Sequence, residues 1–415
     1  MSRILIAWEL GLNLGHLARM LPLSTRLKAR GHAVLGAVRD IPAATTVFGP
    51  AGIPFVPAPH LPQGLKLPQR PAGYADILLS QGWGDPTVLW GLTHAWLNLI
   101  RMFRPDLLVL DYSPTARLAA RIAGIPAALV GNGFELPPAT SPLPAFPGFS
   151  WASPEKAARA EATALAHART VAHAFGAPPL AALGELFEGE LRLLATFPEL
   201  DHYGPRATER YVGPLLGDLP RERIDWPEAP GKRVFACLRP DTTHGDAILA
   251  ALARSGAAVV CFAPGFTKER LAPFGGPNLR FTAKPVDLKP LAASADLCVS
   301  YGAEGTVATF LLAGVPQLLS PRHVEAHLAA RRIEALGAGL ALRGAQTAEG
   351  MGAALTQLTE EPSYKSCAGA FAQAHRGFDP AGAANGVAGL VEAAAVGRVE
   401  PAHLSNRVAG STARI

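Results

Sequence analysis

One stretch in the second half of the chain constrains the fold more than any other. Its predicted elements are, in order, a strand, a tight glycine turn, a helix and a second strand: Asp296–Ser300, Gly302 with Gly305, Thr306 onward, and Pro316–Ser320. A turn between a parallel strand and a helix leaves the first N–H groups of the helix unpaired, and glycine lets a ligand approach them. The stretch therefore predicts a phosphate seat. The alternative is a turn that only packs helix against strand.

The same alternation of strands and helices runs through the rest of the chain, and it predicts an α/β protein with doubly wound parallel sheets. The other predicted strands are Arg3–Trp8, Ala33–Val38, Phe55–Val56, Leu107–Leu110, Ala127–Val130, Leu191–Thr196, Val234–Leu238, Ala257–Ala263 and Leu279–Phe281.

A segment rich in proline, glycine and charge interrupts this alternation between residues 211 and 232. We predict a first Rossmann-like domain over 1–212, a linker over 213–232, a second Rossmann-like domain over 233–396 and a flexible tail over 397–415. Two such domains face a cleft with the carboxyl ends of both sheets.

Composition excludes several classes of partner. Apolar residues make up 49% of the 415 and the net charge is +5, spread without a basic run. A phosphorylated small molecule is therefore a better candidate than nucleic acid. The four cysteines have no CxxC spacing, and no signal peptide or long apolar window is present. We expect a cytoplasmic protein without a transmembrane segment, and peripheral membrane contact stays open.

Two residues at the edge of the first predicted sheet suit acid–base chemistry. His16 follows the first strand and can act as a general base near neutral pH. Asp111 follows the strand Leu107–Leu110 at the same edge and could orient the imidazole. The alternatives are a helix N-terminal histidine without chemistry and an N-cap aspartate.

On the second domain, Glu325 could accept hydrogen bonds from sugar hydroxyls, or be the first-turn acid of a helix over His323–Leu336. Arg239 follows the strand Val234–Leu238 and could neutralise phosphate, or be a surface arginine. In the first domain, Trp83, Trp90 and Trp96 either line an acceptor pocket or belong to the core.

Motifs of other chemistries are missing. The sequence has no GxxxxGK[ST], HExxH or GxSxG pattern, and its first glycine turn lacks GxGxxG. These absences disfavour a P-loop NTPase, a zinc protease, a serine hydrolase and a nicotinamide-binding domain.

Four segments resemble a known family, and together they cover most of residues 1–345. They are LGHLARMLPLSTRLKARGHAV, RPDLLVLDYSPTARLAARIAGIP, LLATFPELDHYGPR and VDLKPLAASADLCVSYGAEGTVATFLLAGVPQLLSP. The chain resembles the UDP-glycosyltransferase-like enzymes of GT-B fold, the bacterial group that glycosylates small lipophilic acceptors.

The resemblance implies an inverting, metal-independent glycosyltransferase of hexosyltransferase type. It implies no cofactor, and a UDP- or dTDP-linked sugar as co-substrate. It also assigns roles to residues: His16 corresponds to the base, Asp111 to its partner, Glu325 to the acid on the donor sugar, and Gly305 and Thr306 to the diphosphate site.

Three positions depart from the family pattern. Tyr301 stands where a histidine usually begins the phosphate turn, and Ala326 and Ala329 replace a glutamine and an asparagine. Arg239 or Arg322 could supply the missing positive charge. Two alternatives therefore stay open. One is a non-catalytic member that binds a nucleotide sugar or hydrophobic ligand as an auxiliary protein, and the other is a nucleotide-sugar 2-epimerase.

Overall fold

The computed structural model describes residues 1–11, 14–67, 69–217, 221–344 and 346–397. Within them, two six-stranded parallel sheets have the orders β3-β2-β1-β4-β5-β6 and β12-β11-β10-β7-β8-β9. The strands are β1 Arg3–Trp8, β2 Ala33–Val38, β3 Phe55–Pro57, β4 Leu107–Asp111, β5 Ala127–Gly131, β6 Leu191–Leu194, β7 Arg233–Cys237, β8 Ala258–Phe262, β9 Leu279–Thr282, β10 Leu297–Ser300, β11 Gln317–Leu319 and β12 Gly339–Ala341.

Helices cover both sheets, as parallel strands require. They are α1 Gly15–Ala29, α2 Ile41–Val47, α3 Tyr74–Leu78, α4 Pro86–Phe103, α5 Pro114–Ala123, α6 Pro154–Ala174, α7 Gly245–Arg254, α8 Lys268–Leu271, α9 Leu288–Ala292, α10 Glu304–Leu312, α11 Val324–Ala335, α12 Ala348–Glu360, α13 Pro362–Ala374 and α14 Pro380–Ala395.

Both sheets share one topology. Each reverses its strand order at a central pair, β1 with β4 in the first sheet and β7 with β10 in the second. At such a reversal the flanking helices leave in opposite directions and open a crevice beyond the carboxyl ends of the strands. The predicted fold class, two doubly wound α/β units, is confirmed.

Two details of the predicted phosphate turn need correction. The helix begins at Glu304, two residues before the predicted Thr306, so Gly305 lies within its first turn. A short strand, β12, follows the helix α11 and was not predicted, because its three residues are too few to show a period.

The last helix crosses back to the first sheet. α14 packs against α1, and its Val387 and Val391 share one apolar core with Leu23 and Leu27 of α1. The predicted range 233–396 assigns α14 to the second domain by sequence order, whereas its contacts are with the first. The linker and tail predictions fall partly on residues 218–220 and 398–415, which lie outside the described residues.

Candidate active site

His16 and Asp111 meet at the carboxyl edge of the first sheet. β1 and β4 are neighbours in register, with Trp8 opposite Asp111, so the end of β4 lies beside the start of α1. His16 is the second residue of α1, and its Nδ1 lies 2.8 Å from Asp111 Oδ1. The two residues predicted as base and partner are therefore in hydrogen-bond contact, and this contact fixes Nδ1 as the protonated nitrogen when the imidazole is neutral.

The other imidazole nitrogen faces a glycine. Gly11 has φ +80°, and a Cβ at this position would overlap His16 Nε2. Within the described residues, no side chain or backbone group hydrogen-bonds to Nε2. The ring itself is held between Trp8 and Tyr112, with centroids 5.1 and 6.1 Å away. Nε2 is thus the atom that can take a proton from an incoming hydroxyl.

Tyr112 has an unusual backbone. It directly follows β4 and adopts φ +49°, a conformation that non-glycine residues rarely take. Its carbonyl accepts a hydrogen bond from Leu10 N at 3.0 Å, which holds the loops after β1 and β4 together. This turn directs the Tyr112 ring toward His16, Tyr74 and Phe134 and so forms an aromatic wall beside the base. Strain of this kind is often found at functional sites.

Two charged residues that the sequence analysis did not single out complete this edge. Arg19 lies one helical turn after His16, and its Nη1 donates to Asp111 Oδ1 at 3.2 Å and to a carboxylate oxygen of Glu135. The other Glu135 oxygen lies 3.6 Å from His16 Nδ1. All four side chains are buried. The i, i+3 spacing of His16 and Arg19 on one helix was the available signal for Arg19.

The charges of this group set the protonation of the base. Burial lowers the pKa of His16, but Asp111 and then Glu135 outweigh it, and the pKa ends above its ordinary value. Burial raises the pKa of Asp111 against the opposing effects of Arg19 and His16. For Glu135 the outcome is the opposite: burial raises its pKa, but the charges of Arg19 and His16 outweigh burial, and the pKa ends below its ordinary value.

The same side chains have the spacing of a metal site. Ligand atoms of His16, Asp111 and Glu135 lie within 4.8 Å of one another. Arg19, however, hydrogen-bonds to both carboxylates and already supplies the positive charge. The donor set therefore fits a guanidinium better than a metal ion.

Glu135 is held by a turn that reaches the second domain. Asn132 Oδ1 accepts from Phe134 N at 2.9 Å and Glu135 N at 3.1 Å, while a Glu135 oxygen accepts from Asn132 N at 2.8 Å. Asn132 Nδ2 then donates to Glu325 Oε1 at 3.0 Å. Glu325, the predicted sugar-binding acid in the first turn of α11, therefore faces the base side of the cleft.

The predicted phosphate turn lies at the N-terminus of α10. Gly302 has φ +92°, so a left-handed conformation requires glycine there, and its N–H donates to Ser300 Oγ at 3.2 Å. Gly305 lacks this constraint, since a Cβ would touch only Leu216 at 3.8 Å. Gly305 and Thr306 belong to the first helical turn, whose N–H groups have no partner inside the helix.

Two arginines flank Tyr301 at this turn. The Arg239 side chain donates a hydrogen bond to the Tyr301 side chain, and the Arg322 guanidinium carbon lies 5.7 Å from the ring centroid. Arg322 also pairs with Asp241. Burial raises the pKa of Tyr301 to about 12, so its hydroxyl stays neutral. The predicted donor-binding residues Tyr301, Gly302 and Arg239 thus lie together.

The two sides of the cleft touch at Glu304. This first residue of α10 accepts a hydrogen bond from Arg19 Nη2 at 3.2 Å. Burial raises the pKa of Glu304 to about 7, against the opposing charge of Arg19. The sequence analysis passed over Glu304, because an acid in a first helical turn is common.

The three tryptophans predicted to line one acceptor pocket are not brought together. Trp83 is buried near the aromatic wall and its indole N–H donates to Thr115 Oγ1 at 3.0 Å. Trp96 is fully buried in the core between α4 and the sheet. Trp90 is 41% exposed and stacks on Phe175. Trp83 precedes α4, whereas Trp90 and Trp96 lie on different faces of it, one exposed and one packed on the sheet.

The chain is similar to known proteins in sequence and in structure. Residues 246–382 match the family model described as erythromycin biosynthesis protein CIII-like, C-terminal domain. The elloramycin glycosyltransferase ElmGT of Streptomyces olivaceus is 35% identical over 135 residues, which are 30% of this chain and 32% of ElmGT. The match thus spans about a third of that relative.

Solved structures cover nearly the whole chain. The calicheamicin glycosyltransferase CalG4 superposes with a TM-score of 0.69 at 21% identity, over 96% of this chain and 99% of its own. The glycosyltransferase VinC in complex with dTDP gives 0.66 at 20% identity, over 95% and 99%. This chain has the GT-B glycosyltransferase fold. The resemblance to GT-B glycosyltransferases predicted from four sequence segments is confirmed. His16 belongs to the unit of the first sheet, and α10 belongs to the unit of the second.

Two further findings bear on the sequence predictions. Within the described residues, no helix combines the length and apolarity needed to cross a bilayer. All four cysteines are unpaired, and Cys237, Cys261 and Cys298 are buried.

Proposed function

We propose that this chain is a glycosyltransferase that moves a sugar from a nucleoside-diphosphate donor to a hydroxyl of a small apolar acceptor. The observation that carries the proposal is the His16–Asp111 contact of 2.8 Å, with Nε2 beside Gly11 and without a hydrogen bond from the described residues, and the N-terminus of α10 across the cleft. A base and an anion seat on opposite sides of one cleft are what glycosyl transfer needs.

In the proposed reaction, His16 Nε2 takes the proton of the acceptor hydroxyl as its oxygen attacks the anomeric carbon. The bond from that carbon to the diphosphate oxygen breaks on the opposite face, so the anomeric configuration inverts. Asp111 holds the imidazole and stabilises the imidazolium that forms, as carboxylates do in other histidine-based sites. No metal is required in this proposal, because helix N–H groups can stabilise the leaving diphosphate.

On the donor side we assign the diphosphate to the first turn of α10, including Gly305 and Thr306. Arg239 and Arg322 supply positive charge around Tyr301, where the family's histidine is missing. Glu325 accepts hydrogen bonds from hydroxyl groups of the donor sugar. The dTDP complex of VinC supports a dTDP-linked donor, with UDP as the second choice.

The acceptor is proposed to lie against the aromatic wall beside His16. The rings of Tyr74, Tyr112 and Phe134 have centroids 6.1 to 6.4 Å apart and are at most 7% exposed, so the acceptor is assigned to the edge of this wall nearest His16. Rings of this kind favour planar or apolar acceptors over free sugars. Trp90 and Trp96 take no part in this assignment.

A second candidate is binding without turnover. The Glu304 carboxylate lies in the first turn of α10, where negative charge opposes a diphosphate, and Ala326 and Ala329 lack the polar groups usual in the family. This observation favours an auxiliary protein that binds a nucleotide sugar or apolar ligand.

A two-stage assay separates the candidates. Thermal unfolding is first measured with dTDP, UDP and their sugar conjugates, since a ligand at 100 times its Kd stabilises the fold by about 2.7 kcal/mol. Release of nucleoside diphosphate is then followed with a panel of phenols and alcohols. Binding with acceptor-dependent release supports the transferase, and binding without release from any acceptor supports the auxiliary protein. The absence of any shift would contradict the transferase and would leave only an auxiliary protein that binds an apolar ligand.

A further inference from the structure

Arg19 contacts three carboxylates that come from both domains. Nη1 donates to Asp111 Oδ1 at 3.2 Å and to Glu135, and Nη2 donates to Glu304 Oε2 at 3.2 Å. The side chain is only 9% exposed. Asp111 Oδ1 is shared with His16 Nδ1, so one oxygen links the imidazole to the guanidinium.

The contacts of Arg19 also set the charge balance of the acids around it. Two buried acids, Asp111 and Glu135, and one partly buried acid, Glu304, surround Arg19, and His16 is the second cation when protonated. A buried acid without a cation is costly, so the fold can keep only as many acids ionised as it has positive charges nearby. Arg19 is the permanent one.

We propose that Arg19 is a positioning residue that couples the base side of the cleft to the donor side. It fixes Asp111, and through it the His16 imidazole, while it holds Glu304 and the first turn of α10 against the first domain. Its effect on turnover rests on the proposed function, but its effect on His16 itself can be measured without any substrate.

The direction of that effect follows from the groups around His16. Asp111 comes from β4, Glu135 from the turn after β5, and Glu304 faces the group through Arg19. Tyr112 stays neutral, because burial raises its pKa well above the ordinary value. Arg19 is the cation in contact with these acids. Removing it raises the proton affinity of the whole group, whichever acid shares the proton.

The first test is a proton NMR titration of the His16 ring, assigned by the signal lost in His16→Gln. Arg19→Met should move the midpoint to higher pH by about one unit or more. Arg30→Met is the matched control, because Arg30 caps the C-terminus of the same helix, at the end away from His16, and pairs with Glu392 at 3.1 Å. It should leave the midpoint unchanged.

An unchanged midpoint in folded Arg19→Met would overturn the proposal. If Arg19→Met does not fold, Arg19→Lys takes its place: it keeps the charge, but a single ammonium cannot make the same bonds to Asp111, Glu135 and Glu304. The His16 midpoint should then move by a few tenths of a unit, and a midpoint identical to that of the wild type would overturn the proposal.

The second test measures the coupling across the cleft with dTDP as the probe. By calorimetry, Arg19→Lys should weaken dTDP binding several-fold, because a single ammonium cannot hold Glu304 and the first-domain carboxylates together and α10 loses its tie to the first domain. In a Glu304→Gln background the same substitution should change the Kd by less than twofold. Equal losses in both backgrounds would contradict the coupling. Failure of the wild type to bind dTDP would count against the proposed function, and the His16 titration would then decide the proposal.

Discussion

The two sides of the cleft are built by opposite means. On the base side, His16, Arg19, Asp111 and Glu135 come from three separate segments, are buried, and hold one another through charge. On the donor side, the residues around α10 are close neighbours in sequence, and their geometry depends on the backbone of one glycine turn. Charge pairing therefore fixes one side and backbone conformation the other.

This difference predicts different failures. Arg19 contacts both sides. Substitutions at the other base-side residues should change protonation and rate while nucleotide binding survives. Substitutions on the donor side should change nucleotide affinity or local stability and leave the titration of His16 alone. Each of the following experiments tests that division, beginning with the largest expected effect.

Asp111→Asn should give a loss of turnover second only to that of removing His16 itself. The amide keeps the shape of the carboxylate but cannot stabilise the imidazolium, so we expect kcat to fall by about 100- to 10,000-fold. The dTDP Kd should stay within about twofold, because the side chain lies at the base side. A kcat near that of the wild type would show that the contact between His16 and Asp111 is structural only.

Glu9→Gln tests whether a buried carboxylate, rather than backbone conformation, sets the pH dependence of stability in the first domain. Glu9 directly follows β1, and its carboxylate accepts hydrogen bonds from Thr115 N and Ala116 N at 2.9 and 3.2 Å. Burial raises its pKa to about 7, against the opposing effect of those hydrogen bonds. Since the folded pKa lies above the unfolded value, ionisation costs stability as pH rises from about 4.5 to about 7.

Glutamine at position 9 does not ionise, so the variant should not lose this stability as the pH rises. Between about pH 4.5 and about pH 8, its free energy of unfolding should improve relative to the wild type by roughly 3 kcal/mol. Urea unfolding at several pH values measures the difference. A difference that does not change with pH would show that Glu9 titrates normally in the fold.

Gly302→Ala and Gly305→Ala form a matched pair on the donor side. Gly302 has φ +92°, so alanine there should cost about 1–2 kcal/mol of stability through backbone strain. Gly305 is helical with open space, so alanine should leave stability unchanged but weaken dTDP binding by placing a methyl group at the phosphate approach. Identical effects of the two variants on stability would contradict the assigned geometry.

Arg322→Met should have the smallest effect. Its guanidinium lies partly exposed above Tyr301, so we expect dTDP binding to weaken by about three- to tenfold at low salt and by less at high salt. Arg343→Met is the control, because Arg343 is an exposed arginine paired with Glu334. Equal losses in both variants would indicate a general charge effect rather than a site.

The donor side could be predicted from sequence because its signals are local. A strand, a glycine turn and a helix follow one another within a few residues, so Tyr301, Gly302 and Thr306 were placed correctly at one turn. The start of the helix was wrong by two residues, since Glu304 and Gly305 give no sequence signal of helical backbone.

The base side could be predicted only in part. His16 and Asp111 each follow a strong strand, and parallel strands share an edge, so their proximity was predictable. Glu135 and Glu304 were missed because their partner, Arg19, is far away in sequence and their role exists only after folding. The tryptophans were grouped by spacing along the chain, which does not show that Trp83 precedes α4 or that Trp90 and Trp96 occupy different faces of that helix.

The most direct test of the account is transfer by His16→Ala, measured with a dTDP-sugar and an acceptor that the wild type uses. The account predicts that turnover falls below detection while dTDP binds with an unchanged Kd, because the nucleotide contacts α10 and not the base. Turnover equal to that of the wild type would contradict the assignment of His16 as the base and, with it, the division of the cleft into a base side and a donor side.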